Sequence, residues 1–483
     1  MNAKLTKTCQ AGNLNAGKAQ GHRRFAQRAF CISMLLAACC EAQTGSLAPE
    51  GCPVFHCTVE ATGVTFQPLI AAVSTMTSNS SLGGLPLQGC SGNGTTLTCL
   101  FSTDNATGIA QGTLKLLDAT TLQPIWGSAG AAGSYNLAAA SASHGQVPVN
   151  FADGSIAAGD LHYHVRYNSS GAVIGKLLLR GNAVNFGLTP ISDTYGVVSQ
   201  TNGVLTLVNM STWKNAGTLV LLDPVTNGSL HLVSPSSGTA NVLYAIAHNK
   251  ANGNGFLFSV AINPATNKLE VSSEFTFTGQ SGASPVVVTP SISGLSTNLI
   301  LLHVPRLIGD PQPMNRLLGL SDSATGLQQI WAIPLSAPLT VAPTVDQGSM
   351  SLFYHQTYSP IIYQNQLLTG TAIRSFNLQK IAGIPSPFKL NTHLGATQAD
   401  SVFTLLVGGA YTSAPGVGAE YVMAFQPIAS PGALMWSSQI SSVPAGYLAA
   451  WNFAPSSETG IVCPIAITDS TPGGSAIVRL CDF

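Results

Sequence analysis

The sequence is poor in charge: 8% of its 483 residues are Asp, Glu, Lys or Arg, against about 25% in an average soluble protein. The exposed surface therefore has to come from Ser, Thr, Asn, Gln and Gly, which suit strands and turns better than exposed helix faces. From Glu41 onward, the sequence has 13 basic and 19 acidic residues, and no basic cluster is interleaved with aromatic residues. We expect no nucleic-acid partner, because nucleic-acid binding needs concentrated positive charge.

The sequence also lacks a long apolar run. The strongest one, residues 29–40, has 12 residues, whereas a membrane-spanning helix needs about 20, so we expect no membrane span. This run follows six basic residues and precedes small and polar ones, which is the order of regions in a secretory signal peptide. We predict that residues 1–42 form a signal or targeting segment, that residues 43–483 form a single domain, and that the mature protein is secreted to the extracellular space.

Other interpretations of this leading segment stay open. The basic stretch 1–28 is long for a signal peptide, so a start codon set too far upstream or an organelle transit peptide would also account for it. The sequence Leu36-Ala37-Ala38-Cys39 resembles the lipid-attachment motif of bacterial lipoproteins. The alternative localisation is therefore a protein that is lipid-anchored at Cys39.

No cysteine occurs in the 363 residues between Cys99 and Cys463. Beyond the leading segment, the cysteines lie near the two ends of the chain: Cys52, Cys57, Cys90, Cys99, Cys463 and Cys481. An even number in an exported chain predicts disulfides, and six cysteines allow 15 connectivities. Cys90 and Cys99 flank a turn-like sequence, so we predict a disulfide between them that links the two strands of a hairpin, called the hairpin staple below. For the other four we expect at least one bond between an N-terminal and a C-terminal cysteine; the alternative is two local bonds.

The common catalytic motifs are absent: the sequence has no Gly-x-Ser-x-Gly, no Gly-x-x-x-x-Gly-Lys-Ser/Thr and no His-Glu-x-x-His. His162 and His164 alternate with Arg166 on a predicted strand, so the three side chains should share one face. Two imidazoles at this spacing can bind a metal ion, but the sequence suggests no further ligand. We therefore predict no catalytic residue and no metal site.

Six Asn-x-Ser/Thr sequences are possible glycosylation sites in an exported protein. They are Asn79, Asn93, Asn105, Asn168, Asn209 and Asn227. A chain this rich in Asn, Ser and Thr produces about this many by chance, so their number alone does not predict a glycoprotein.

What the chain does have is an internal repeat. Four copies, near residues 118, 223, 263 and 322, place Asp or Asn after an apolar strand, then Thr three residues later, then usually a turn residue. Weaker copies fall near residues 168, 377 and 426. The side chain of Asp or Asn at the first turn position accepts a hydrogen bond from the backbone two residues on, and Gly or Asn further along can take positive φ. Each copy thus predicts a tight hairpin, and this turn role accounts for Asp118, Asp223 and Asp322 without catalysis.

The spacing of the repeat predicts the architecture. The intervals are 50, 55, 40, 59, 55 and 49 residues, close to the ~40–50 residues of a four-stranded propeller blade. A last partial unit, residues 461–480, lacks an outer strand, which residues 55–61 could supply to close the ring. We predict an all-β propeller of eight blades whose N- and C-terminal strands share one blade. The alternatives are seven blades, two or three β-sandwich domains, or a stacked solenoid; the Ala/Gly/Ser stretch 127–144 is interpreted as a loop between blades.

Two of the turn strings identify a resemblance. Leu-Leu-Asp-Ala-Thr-Thr leading to Trp126, and Ser-Asp-Ser-Ala-Thr-Gly leading to Trp331, resemble the Ala-Leu-Asp-x-x-Thr-Gly-x-x-x-Trp repeat of the pyrroloquinoline-quinone-type propellers. The resemblance implies that both tryptophans dock one blade on the next. It also implies a possible quinone and metal site, but the vicinal cysteines that such dehydrogenases use match only Cys39-Cys40, and the acids here do not cluster in sequence.

The sequence therefore favours a secreted, non-catalytic β-propeller without a cofactor, acting as an extracellular binding or scaffold protein for a protein or a glycan. The alternative is a quinoprotein-type oxidoreductase that uses a quinone cofactor and a metal ion. A glycan-active enzyme would need paired carboxylates on neighbouring blades. The residues that line the central channel distinguish these functions.

Overall fold

The protein is described here by a computed structural model, which covers residues 46–48, 64–82, 85–103, 109–126, 131–138, 147–179, 185–232, 235–239, 241–263, 265–279, 281, 284–290, 296–305, 315–339, 341–392, 394–399, 402–429, 432–442, 448–456, 461–471 and 474–482. In this part of the chain, eight antiparallel sheets form a ring, the arrangement of a β-propeller. The predicted eight-bladed all-β propeller is confirmed, and the alternatives of seven blades and of β-sandwich domains are wrong. The described helix α1 (Leu378–Ile381) has four residues, and none in this part of the chain has the length and hydropathy to cross a membrane.

The strands are numbered along the chain. Two short strands come first: β1 (Val64–Thr65) and β2 (Thr75–Asn79). Blade 1 contains β3 (Leu85–Gly92), β4 (Thr96–Thr103), β5 (Ile109–Asp118) and β6 (Ala131–Ala138). Blade 2 contains β7 (Val149–Asn150), β8 (Ile156–Gly159), β9 (Tyr163–Tyr167) and β10 (Val173–Leu178). Blade 3 contains β11 (Asn185–Pro190), β12 (Tyr195–Gln200), β13 (Val204–Asn209) and β14 (Lys214–Val220).

The middle blades follow the same order. Blade 4 contains β15 (His231–Leu232), β16 (Ser236–Ser237), β17 (Val242–His248), β18 (Asn254–Asn263) and β19 (Lys268–Thr278). Blade 5 contains β20 (Val286–Val288), β21 (Asn298–Val304), β22 (Asn315–Ser323) and β23 (Gly326–Leu335). Blade 6 contains β24 (Thr344–Asp346), β25 (Ser351–His355), β26 (Ile361–Gln366) and β27 (Ala372–Asn377).

The last two blades include strands from the start of the chain. Blade 7 contains β28 (Phe388–Leu390), β29 (Gly395–Ala399), β30 (Val402–Ala414), β31 (Val417–Gln426) and β32 (Ala433–Ser441), with β1 paired in parallel to β29. Blade 8 contains β33 (Leu448–Pro455), β34 (Val462–Thr471) and β35 (Gly474–Cys481), with β2 paired to β35.

Burial along the strands explains the sequence pattern. Every residue of β21 is buried, since a strand in the middle of a blade packs on the neighbouring blades with both faces. The outer strand β19 instead alternates between exposed and more buried residues. Continuous apolar stretches of the sequence therefore form the middle strands of the blades, and stretches that mix polar and apolar residues form the outer strands.

The predicted turn chemistry is confirmed at most copies of the repeat. Asp118 Oδ1 accepts hydrogen bonds from the backbone N–H of Thr120 at 2.9 Å and of Thr121 at 2.7 Å. Asp223 Oδ1 accepts the corresponding pair in blade 3, and Asn263 Oδ1 accepts the bond from Ala265 in blade 4. These side chains fix turns, two of them in hairpins within a blade and that of Asp223 in the connection between blades 3 and 4. Asp322 is the exception described below.

The N-terminal strand β2 closes the ring. It pairs antiparallel with β35, from Thr75 opposite Cys481 to Asn79 opposite Ile477. The predicted sharing of a blade between the termini is thus confirmed. The strand itself is not the expected segment 55–61, which lies outside the described residues. The sequence of β2, Thr-Met-Thr-Ser-Asn, is mostly polar and alternates only weakly, so hydrophobic periodicity did not reveal it.

Two disulfides are present in the described chain. Cys90 and Cys99 lie opposite each other on β3 and β4, as predicted for a hairpin staple. Cys463 bonds to Cys481 within blade 8, on the adjacent antiparallel strands β34 and β35. The expected covalent bond between the two ends of the chain is therefore wrong for these cysteines, because each already has a partner across its own hairpin. Cys52 and Cys57 lie outside the described residues.

Tryptophans connect neighbouring blades. Trp126 Nε1 donates a hydrogen bond to the carbonyl oxygen of Ser169 in blade 2 at 2.9 Å. The ring of Trp331 packs against Gly370 of blade 6, where an added Cβ would come within 3.0 Å. The docking role implied by the resemblance fits both residues. The stretch 127–144, interpreted as a loop, contains the outer strand β6 of blade 1. The sequence did not predict this strand because it consists mostly of small residues without a hydrophobic pattern.

Candidate functional site

A groove of about 400 Å³ lies between blades 4 and 5 and is called the 4/5 groove below. It is formed by the starts of β17 and β21 and by the hairpin that joins β22 to β23. Polar residues supply most of its wall, which consists of Thr239, Val242, Ser272, Ser273, Pro290, Ser296, Thr297, Asn298, Asp322, Ser323, Ala324 and Gly326. Its size lies within the range of small-ligand sites, about 300–1,000 Å³.

A buried hydrogen-bond network forms the floor of the 4/5 groove. The hydroxyl of Tyr244, on β17 of blade 4, donates to Asp322 Oδ2, on β22 of blade 5, at 2.6 Å. Ser259 Oγ, also in blade 4, donates to the same oxygen at 2.9 Å. Tyr244 is fully buried and Ser259 is nearly so. One carboxylate of blade 5 is thus held by two hydroxyls of blade 4.

The network extends to the rim of the groove. Asn298 Nδ2 donates to the Tyr244 hydroxyl oxygen at 2.7 Å, and Thr239 Oγ1 donates to Asn298 Oδ1 at 3.1 Å. Burial, followed by the hydrogen bond to Asp322, raises the pKa of Tyr244 far above its usual range. The phenol therefore remains a donor to Asp322 and an acceptor from Asn298. Each polar group of the floor has a fixed partner, so the floor is rigid.

Asp322 does not have the role that the repeat predicted for it. Strand β22 continues through Asp322 to Ser323, so the turn starts one residue later than in blade 1. Ser323 Oγ takes the turn position and accepts a hydrogen bond from the N–H of Thr325 at 3.3 Å, and Gly326 supplies the positive φ of 95°. The assignment of Asp322 to a turn is therefore wrong, and its carboxylate faces the neighbouring blade. The sequence feature that indicates this shift of the turn is Ser323, a second turn-forming residue directly after the aspartate.

A second groove of about 400 Å³ lies at the opposite strand ends, between blades 3 and 4. Its lining includes His231 and Lys250. The rings of His231 and His248 have centroids 4.8 Å apart. Burial, then the nearby charges of His231 and Lys250, lowers the pKa of His248 to about 4. At neutral pH this groove therefore presents uncharged imidazole beside one lysine.

Asp223 borders this second groove as a structural residue. It accepts hydrogen bonds from Asn249 Nδ2 at 2.7 Å and from Asn252 Nδ2 at 3.2 Å, in addition to its turn bonds. These donors, Asn249 first, lower the pKa of Asp223. The aspartate ties the connection between blades 3 and 4 to a loop of blade 4.

The histidines singled out in the sequence do not form a site together. His164 is buried against Trp213, with ring centroids 5.6 Å apart, and burial lowers its pKa to about 3. Arg166 forms an ion pair with Asp153 at 2.8 Å. His162 precedes strand β9 and is only partly buried. The three side chains serve different contacts and do not converge on one point.

The possible glycosylation sites differ in accessibility. Asn79 is 7% exposed, and its Nδ2 donates to the carbonyl oxygen of Leu122 at 2.8 Å. Asn93, Asn168 and Asn209 are partly buried and use their side-chain oxygens in turns. Asn227 is exposed. Asn105 lies outside the described residues.

The described innermost strands, which surround the central channel, do not supply the ligands of the quinone and metal site of the resembled family. Such a site needs several acidic and amide ligands around one ion, but the described innermost strands carry a single acid, Asp346 on β24. Asp346 Oδ1 already accepts bonds from Gln398 Nε2 at 3.0 Å and from the N–H of Gly348 at 2.9 Å. The vicinal pair Cys39-Cys40 lies outside the described residues. No step through a quinone is derived for this chain.

Comparison with known proteins gives similarity of structure only. No known family matches the sequence, and no curated protein matches it. The structure is similar to that of BamB from Moraxella catarrhalis, with a TM-score of 0.44 and 11% identity over 85% of this chain and 99% of that one. It is also similar to Sqt1 from Saccharomyces cerevisiae, with a TM-score of 0.42 and 11% identity over 68% of this chain and 93% of that one. Similarities this low assign neither a family nor a ligand to the chain.

Proposed function

We propose that this chain is a secreted, non-catalytic β-propeller that acts as an extracellular binding or scaffold protein for a protein or a glycan. In this proposal residues 1–42 direct export and residues 43–483 form the binding domain. The Cys90–Cys99 disulfide is compatible with an oxidising compartment. Lipid attachment at Cys39 would keep the same domain outside the cell.

The 4/5 groove is the observation that carries the proposal. Its polar groups bond to one another across a blade boundary, from Tyr244 to Asp322 and from Thr239 to Asn298. A ligand that binds there does not have to order these side chains, so less of the binding free energy is lost to conformational entropy. The arrangement supports recognition, because one carboxylate with hydroxyl and amide neighbours offers neither a nucleophile–base pair nor paired carboxylates.

The proposal is tested by crosslinking from the grooves. A photoreactive phenylalanine analogue replaces the exposed residue Ala324 in the 4/5 groove or Ala251 in the groove between blades 3 and 4; Val417, exposed on a hairpin of blade 7, is the matched control. In extracellular fluid from the native source, we expect discrete adducts from a groove position and none from Val417. Adducts from neither groove would contradict the binding function.

A quinoprotein-type oxidoreductase is the second candidate, favoured by the two turn strings and by the docking of Trp126 on the next blade. We expect the purified protein to show no alcohol-dependent dye reduction after reconstitution with pyrroloquinoline quinone and calcium. If the protein reduces the dye, and if this activity is lost when the quinone or the calcium is omitted, the oxidoreductase becomes the favoured function and the binding protein the second candidate. N-terminal sequencing of the mature protein tests export separately, and retention of residues 1–30 would contradict it.

A further inference from the structure

We propose that the 4/5 groove binds a neutral carbohydrate, with Asp322 Oδ1 accepting a hydrogen bond from a sugar hydroxyl. This inference rests on the proposed binding function and names the ligand class for one groove. The chemistry of the lining, the geometry of Asp322 and the connection between two blades each contribute to it.

The lining disfavours anionic and apolar ligands. Eight of its twelve described residues are polar, and Asp322 is the charged one. A phosphate, sulfate or carboxylate ligand would meet a carboxylate without a compensating Lys or Arg in the lining, which disfavours anions. An apolar ligand would cover hydroxyl and amide groups without replacing their hydrogen bonds to water, which is costly. A neutral ligand rich in hydroxyls satisfies both conditions.

The orientation of Asp322 leaves one oxygen for the ligand. Both hydroxyls of blade 4 donate to Oδ2, whereas Oδ1 accepts no hydrogen bond from the described residues, and Asp322 is a partly exposed residue of the groove lining. A carboxylate only accepts hydrogen bonds, and a sugar hydroxyl both donates and accepts. Hydroxyls of the wall are held by neighbours, as Thr239 is by Asn298 and Ser272 is by Ser259, but a hydroxyl oxygen that donates can still accept a hydrogen bond. Asp322 Oδ1 is therefore a fixed acceptor for a ligand hydroxyl.

The network also holds this acceptor in place. Tyr244, which accepts a hydrogen bond from Asn298, holds Oδ2 of Asp322 toward blade 4 and thereby fixes the orientation of Oδ1. Because Tyr244 belongs to blade 4 and Asp322 to blade 5, a ligand in the groove would contact both blades. The groove wall includes serines of both blades, Ser272 and Ser273 of blade 4 and Ser296 of blade 5.

The test uses saturation-transfer NMR, which detects weak binding, with a panel of neutral methyl glycosides and disaccharides added to the full-length mature protein. We expect at least one saccharide to bind. Asp322→Asn keeps the shape of the side chain and removes its charge, so it should weaken binding by about 10-fold or more, as expected for the loss of a hydrogen bond to a charged acceptor. Asp118→Asn, at the corresponding hairpin of blade 1, is the matched control and should leave the affinity unchanged.

A second variant covers the case in which Asp322→Asn fails to fold. Ala324→Trp places bulk at the mouth of the groove from an exposed turn residue, and it should abolish saccharide binding without changing the dichroism spectrum. Absence of binding across the panel, or a saccharide that binds the wild type and Ala324→Trp equally, overturns the inference. Groove adducts from the crosslinking experiment together with a negative panel would overturn the carbohydrate ligand alone and leave the binding function standing.

Discussion

The Oδ2 atom of Asp322 lies 2.6 Å from the hydroxyl of Tyr244, although 78 positions of sequence separate the two residues. They belong to blades 5 and 4, and the bond is a direct polar connection between these blades. Because Tyr244 is fully buried, the bond couples the stability of the ring to the geometry of the 4/5 groove. The predictions below begin with this pair.

Tyr244→Phe should destabilise the protein. The substitution leaves Asp322 with one donor fewer and Asn298 Nδ2 without its acceptor, and an unsatisfied buried polar group costs about 1–3 kcal/mol. Denaturant unfolding of the two proteins measures the difference. Tyr363→Phe is the control, since the Tyr363 hydroxyl makes no hydrogen bond to a described residue, and it should change stability by less than about 0.5 kcal/mol. Equal effects of the two substitutions would contradict the importance of the network.

Stability should fall as the pH drops from about 6.5 toward 4. Burial lowers the pKa of His164 to about 3, below the value of about 6.5 in the unfolded chain. The unfolded state therefore binds more protons in this window, and the stabilising effect of neutral His164 is present above the unfolded pKa and lost below it. For His164 alone the loss between pH 7 and pH 5 is up to about 2 kcal/mol.

His164→Phe tests this pH dependence. The variant should unfold at a similar denaturant concentration at pH 7 but lose less stability at pH 5 than the wild type. His162→Phe, at a partly buried position outside strand β9, should keep the full pH dependence. If His164→Phe loses as much stability as the wild type on acidification, the histidine is not buried in its neutral form.

Breaking strand β2 should open the ring. A double replacement, Thr77→Pro with Ser78→Pro, removes the one donor to β35 that two adjacent residues of an antiparallel edge strand supply, whichever of the two carries it. The lost hydrogen bond costs about 1–3 kcal/mol, and the proline rings disturb the pairing further. We expect a lower unfolding midpoint and self-association through the exposed edge of blade 8, seen by size-exclusion chromatography. Ala71→Pro with Ala72→Pro, two exposed bend residues before β2, is the control and should elute at the volume of the wild type. The same behaviour in both variants would argue against closure by β2.

Peptide mapping without reduction should recover two linked pairs. We expect Cys90 bonded to Cys99, and Cys463 bonded to Cys481. A peptide that joins Cys52 or Cys57 to Cys463 or Cys481 would contradict the local pairing in blade 8. It would restore a covalent connection between the ends of the chain.

The sequence allowed the period, the turns and the blade count to be predicted because these are local features. Asp118 and Asp223 bond to backbone groups two and three residues away, so spacing alone reveals their role. The strands β2 and β6 were missed because they carry small or polar residues and are defined by pairing rather than by hydrophobic pattern.

The 4/5 groove could not be predicted in the same way. Its central bond joins residues from two blades, and a shift of the turn by one residue decides whether Asp322 caps its own hairpin or faces Tyr244. Such a shift changes the face of the strand on which a side chain lies. Pairing register across blades is a property of the folded ring, and a single sequence gives no direct measure of it.

The most direct test of the account is the NMR signal of the Tyr244 ring during saccharide titration, in protein labelled at the tyrosine Cζ carbon. A ligand that bonds to Asp322 changes the electron density at the phenol bonded to the same carboxylate. We predict that the Tyr244 resonance shifts with the saturation of the groove, while the resonance of Tyr163 in blade 2 does not. A saccharide that binds the protein and leaves Tyr244 unshifted, while other tyrosines move, would contradict the 4/5 groove as its site.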